Sequence, residues 1–185
     1  MAITITATAG SATANSFATE AEFIAYAATL AIVPASTTVT GSTCSEAEKK
    51  ALVMAFRAFN NFQWQAQRTD STQAGAWPQR YCLDPDAPSI TGLSDIAQLY
   101  FDDTEVPTRV KNGQIELALA IIAGGTTDIF AADPNAGVVE KTVDVLTTRW
   151  QPYQRPTGLA RYPQVLAYIS PMLASSAGSL EMVRV

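Results

Sequence analysis

A chain of 185 residues with 48% hydrophobic and 16% charged residues is long enough to bury one sizeable core, so a single domain with appendages is expected. It carries no histidine, which removes Ser–His and Cys–His nucleophile pairs and the usual zinc ligand sets together. Its net charge of −5 argues against wrapping a phosphate backbone, and it is divided unevenly: residues 1–137 hold 7 basic and 14 acidic groups, residues 138–185 hold 5 and 3.

At the start, Ile3 to Thr8 alternates apolar and hydroxyl residues, the period of a short strand. Thr19 and Glu22 have capping-box spacing, and Phe23, Tyr26, Ala27 and Leu30 then fall on one helical face, predicting a helix over about 20–31. The segment Ala35 to Thr43 reads as a loop with strand character near Val39. Ser45 and Glu48 repeat the capping-box spacing, and Leu52, Ala55, Phe56, Phe59 and Phe62 make an apolar stripe for a second helix over about 46–63. That spacing assigns the aromatic residues to the core rather than to a base-stacking platform.

From Gln65 to Thr104, Gln, Asp, Gly and three prolines break the pattern, and only Leu93 to Phe101 suits a short helix or strand. Within this stretch Trp77-Pro78-Gln79-Arg80 offers an aromatic, a rigid turn and a cation, either as a docking turn (Trp77, Pro78, Arg80) or as a locally packed tryptophan. Pro107 sits in the first turn of a third helix that is apolar on two sides, through Val110, Leu117 and Ile121 and through Ile115, Leu119 and Ile122. It ends at Gly124-Gly125, and apolarity on both sides places it centrally.

Residues Val138 to Leu146 are rich in β-branched side chains and predict a strand or one arm of a hairpin. Gln151 to Gly158 reads as an extended linker, and Pro163 opens a last helix shortened by Pro171. The segment from Ser175 is small, then apolar, ending Leu180-Glu181-Met182-Val183-Arg184-Val185.

Few residues suggest chemistry. Asp102, Asp103 and Glu105, with Asp84 and Asp86, hold the oxygen ligands that a hard cation takes, but calcium-loop spacing is absent, and acids ahead of a helix also complement its dipole. Gly124-Gly125 lacks the Lys-Ser/Thr of a phosphate loop. Cys44 and Cys82 lack metal-ligand spacing and read as free thiols. No enzymatic activity, cofactor or metal is expected. The amino terminus has no basic region followed by an apolar run, and no stretch approaches the roughly 20 apolar residues of a membrane helix, so a chain that stays in the cytoplasm, away from membranes, is expected.

Several motifs recur in a familiar order. They are Asn15-Ser16-Phe17 leading into Thr19-Glu20-Ala21-Glu22-Phe23, Ser45-Glu46-Ala47-Glu48-Lys49, Trp77-Pro78-Gln79-Arg80, and Val106-Pro107 with Val110-Lys111 and Glu116-Leu117-Ala118-Leu119. Val139-Glu140-Lys141, Tyr162-Pro163 with Leu166, Pro171-Met172-Leu173 and a Val183-Arg184 ending follow. On these, the chain resembles the head-to-tail connector (adaptor, or head-completion) proteins of tailed bacteriophages, in the branch that carries a DnaT-like single-stranded DNA-binding label. It departs from that pattern between Arg80 and Val106, which is long, and in the Thr/Ser-rich stretch from Ala31 to Cys44.

The resemblance implies a mainly α protein with a helical-bundle core (residues 1–174), a β-hairpin or extended β arm at about 138–150, and an extended tail at 175–185. It implies a ring of identical subunits, commonly twelve, between the portal and the tail or next neck protein, lining a channel through which double-stranded DNA passes transiently. Leu180, Met182, Val183, Arg184 and Val185 would then bind the portal, and the protein would reside in the virion neck after assembly in the host cytoplasm. A single-stranded DNA-binding module is the alternative.

Overall fold

The computed structural model describes residues 2–30, 43–88, 96–124, 140–143, 146–149 and 158–174. Among them are four α-helices: α1 (Glu20–Thr29), α2 (Glu46–Asn60), α3 (Thr108–Gly124) and α4 (Pro163–Ile169). Two small antiparallel pairs accompany them, β1 (Gln67–Arg68) with β2 (Gln79–Arg80), and β3 (Glu140–Val143) with β4 (Leu146–Arg149). The fold is mainly α, as the sequence predicts.

Both capping boxes form. The Thr19 hydroxyl accepts from the Glu22 amide while the Glu22 carboxylate accepts from the Thr19 amide at 2.7 Å. Ser45 and Glu48 do the same at the start of α2, with the Ser45 amide 2.6 Å from the Glu48 carboxylate. Each box pairs amides that a helix start otherwise leaves without partners.

α3 is the central element, packed against both α2 and α4, and Val110, Ile115, Leu117, Ala118, Leu119 and Ile121 are buried on it. Gly113 allows close approach at this crossing: a Cβ there would stand 2.9 Å from the Ile169 side chain and 3.3 Å from the Phe59 ring. The aromatic stripe of α2 lies in the core, Phe59 fully and Phe56 almost so, with Phe17 4.7 Å from Phe56 between ring centroids. Burying an aromatic side chain contributes about 1.5–3 kcal/mol each, so this cluster is a main stabilising feature.

Three sequence expectations are corrected or refined. Ile3 to Thr8 joins no sheet, because the side chain of Asn15 takes the place of a partner strand: it accepts from the Thr6 amide and donates to the Thr4 carbonyl, both at 2.8 Å. Of the two readings for 93–101, short helix or strand, the helical one holds, as a 3-10 helix over Ile96–Leu99. β3 and β4 form a hairpin in register Glu140↔Arg149 to Val143↔Leu146, so the 138–150 segment supplies both arms. The loop near Val39, the linker 151–157 and the tail 175–185 lie outside the described residues.

After a 3-10 turn at Ser170–Met172, the chain runs antiparallel to the residues that follow α2. The Gln65 amide donates to the Met172 carbonyl, and the Ala174 amide to the Gln63 carbonyl. This fixes the point from which the tail departs.

Candidate functional site

The loop between β1 and β2 is held from inside. Buried Gln73 donates to the carbonyls of Gly75 and Pro78, while Asn60, the last residue of α2, donates to Ala74 and accepts from Ala76. The Trp77 ring is 1% exposed and meets Trp64 and Phe101 edge to face, with centroids 5.4 and 5.9 Å away. Trp77 therefore takes the packed role, and Pro78 is buried beside it, so neither presents a docking surface. Arg80 does reach solvent, 3.9 Å from the Asp103 carboxylate.

Immediately after Arg80 the chain turns outward. Tyr81 adopts φ +60°, a left-handed conformation that costs a bulky residue energy and persists only where its surroundings impose it. The turn leaves Tyr81 79% and Leu83 52% exposed, whereas large apolar side chains are usually covered. Tyr100 supports Tyr81 edge to face at 6.0 Å, and Leu83 pairs with Tyr100 through a backbone bridge. An open groove of about 740 Å³ runs beside Tyr81, bordered by Arg80, Gln98, Asp102 and Asp103. Sequence reasoning singled out the residues just before Tyr81 and missed Tyr81 and Leu83, because no pattern marks an aromatic residue with positive φ.

A second apolar surface lies at the other end of α3. Leu30, Leu119, Ala120, Ala123, Tyr162 and Pro163 line a groove of about 300 Å³. Exposed Arg161 stands on its rim, and Glu116, also on the rim, is held by the Tyr26 hydroxyl at 2.5 Å. That bond and burial both disfavour the phenolate, so Tyr26 remains a neutral donor.

The acidic residues before α3 serve structure. Asp102 accepts from the amide and hydroxyl of Thr104 at 2.7 and 2.6 Å, and these bonds hold its carboxyl below the usual range. Asp86 grips Arg109 through two bonds of 2.7 Å. Among the described residues no three Asp, Glu or Cys side chains converge to hold a cation. Cys44 and Cys82 are free and buried. Burial, reinforced by Glu48 and Glu20, pushes the Cys44 thiol up to about 12; burial, reinforced by Asp84, pushes Cys82 up to about 11. No described helix is long and apolar enough to cross a membrane.

A family model described as "Putative DnaT-like ssDNA binding protein" matches residues 1–185. The chain belongs to that family. No curated protein and no solved structure matches it. For the DnaT-like label, the relevant geometry is the fate of the aromatic and basic residues. Phe56 and Phe59 are core residues, and Lys49, Arg80, Arg109 and Lys111 each pair with a carboxylate.

Proposed function

We propose that this DnaT-like family member is a structural subunit of a phage neck, forming a ring adaptor between the portal and the tail or next neck protein and lining the DNA channel. The observation that carries this reading is how the described surface is divided. Apolar side chains are exposed at Tyr81 and Leu83, a groove between α3 and α4 stands open, and four basic side chains are occupied by acids. Such a surface suits contacts with protein, and a net charge of −5 suits a channel that DNA slides through without being retained. The motif order shared with connector proteins, the helical body and the β3–β4 hairpin agree with this assignment. In it the tail from Ser175, with Leu180, Met182, Val183, Arg184 and Val185, engages the portal, and the segment before it is anchored by the Ala174 bond to Gln63.

The second reading is a single-stranded DNA-binding module, favoured by the family's description and by Tyr81 standing exposed next to Arg80. Such a module needs a positively charged groove that tracks the backbone, with aromatic faces for the bases. Beside Tyr81 the groove is bordered by Asp102 and Asp103 as well as Arg80, and Arg80 lies 3.9 Å from the Asp103 carboxylate, so the groove carries no excess of positive charge. Titrating a fluorescent single-stranded oligonucleotide at low salt separates the two readings. The neck reading predicts no tight binding, and tight binding that weakens steeply with added salt would replace it by the second.

A further inference from the structure

The groove beside Tyr81 continues into a second one. Asp84, Asp86 and the start of α3 border an open depression of about 300 Å³, which shares Phe101 and Asp102 with the first. Two backbone bonds tie the flanking strips together: the Asp84 amide donates to the Leu99 carbonyl at 2.8 Å, and the Phe101 amide to the Cys82 carbonyl at 3.0 Å. In an extended strip successive side chains face opposite ways, so Cys82 is fully buried while Tyr81 and Leu83 point outward. The projection therefore stands on a braced support.

The charges lining the joined grooves do not balance. Arg80 is bridged to Asp103 and Arg109 to Asp86, so both lining cations already have a carboxylate. Asp84, Asp102 and Glu105 remain, and among the described residues no cation is bridged to any of them. Five acids against two arginines leave this face with a formal charge of −3.

An exposed aromatic, an exposed aliphatic and an excess of carboxylates select one kind of occupant. The apolar surface of Tyr81 and Leu83 calls for an apolar side chain. The carboxylates and the Tyr81 and Tyr100 rings call for a cation, arginine above all, whose planar group pairs with carboxylates and stacks on rings. A phosphate backbone is repelled by the same charge. A second copy would bring a further net charge of −5 to an acidic face.

We propose that this face docks a segment of a different protein that carries arginine or lysine next to an apolar side chain. The apolar side chain packs on Tyr81 and Leu83, and the cation lies in the grooves against Asp84, Asp102 and Glu105. The proposal rests on the reading above only in taking the Tyr81 surface as a contact with protein, and it adds the chemistry of the partner. The left-handed backbone at Tyr81 holds the side chain outward before the partner arrives, which lowers the ordering that binding requires.

Fluorescence anisotropy of short labelled peptides added to the full chain tests this. The probe alternates arginine, leucine and glycine. One control replaces its arginines by glutamate; the other replaces its leucines by glycine and keeps the charge. The expected result is saturable binding of the probe that weakens with added salt, and no binding of the glutamate control. Removing the leucines from the peptide, or introducing Tyr81→Ser with Leu83→Ser in the chain, should each weaken binding by more than about tenfold, as truncating a central contact does. Asp102→Asn with Glu105→Gln should weaken it as well and flatten its dependence on salt. Circular dichroism and thermal melting verify that both variants fold, and the peptide controls need no variant. No binding of the probe, or binding that survives loss of the leucines or of Tyr81 and Leu83, would overturn the proposal. Probe binding lost through self-association of the chain would assign the face to a second copy, and displacement by a single-stranded oligonucleotide would assign it to nucleic acid; either overturns the proposal too. The neck reading is decided separately, by incorporation of the chain into particles.

Discussion

From inside the core, the Gln114 amide donates to the Leu52 carbonyl at 2.9 Å, joining α3 to α2 by a side chain with no solvent exposure. The Gln114 oxygen accepts the amides of Phe17 and Ala18 at 2.9 and 3.0 Å, so one residue anchors the amino-terminal segment as well.

Replacing Gln114 by Leu keeps the volume but strands the Phe17 and Ala18 amides. A buried unpaired backbone group costs about 1–3 kcal/mol, so the substitution should destabilise the fold by about 3 kcal/mol or more. Urea denaturation followed by circular dichroism measures this, and a loss under about 1 kcal/mol would show that the segment finds other partners.

How legible was this fold in the chain alone? Local signals are legible: both capping boxes, the stripe through Phe56 and Phe59, and the proline before α3 act over three or four residues. Long-range substitutions are not. Asn15 replaces a partner strand for Thr4 and Thr6, and no periodicity announces a side chain that does so. Trp77 stands in a stretch rich in polar residues and is buried by Trp64 and Phe101, neither of them adjacent in sequence. Gln114 looks like a surface residue on a helix until Phe17 and Leu52 are brought to it. The Tyr81 surface has no signature in the sequence, because exposure there follows from a single backbone angle.

Acid should loosen the packing of α1 on α3. Burial alone would raise the Glu22 carboxyl, but the Lys111 bond at 2.7 Å, two bonds from Thr19 and the Lys111 charge outweigh it and hold it below the ordinary 4.5. A depressed folded-state value gives stability that is present above the unfolded value and is lost as pH falls through the folded one. Melting curves should therefore show a decline below about pH 4.5 that is shallower in Glu22→Gln; an unchanged slope would exclude Glu22 as a contributor.

Both thiols should be inert in the folded chain. With Cys44 pushed up to about 12 and Cys82 to about 11 by burial, the reactive thiolate is scarce at pH 8. Iodoacetamide at that pH should label neither within the time that labels both in denaturing urea, as read by intact mass. Rapid labelling of Cys44 in native buffer would contradict its placement against Glu20 and Glu48.

Removing residues 176–185 should leave the melting temperature within about 2 °C of the full chain, since Ala174 already secures the preceding segment to Gln63. In the neck reading the shortened chain fails to enter particles. Normal incorporation of a folded, shortened chain would remove the tail from the portal contact.

The most direct test of the neck assignment is a reconstruction of the particle neck with the portal in place. The expected density is a ring of copies of this chain directly beneath the portal, with the segment after Ala174 directed toward it and the channel on the ring axis. A complete neck built without this chain would contradict the assignment.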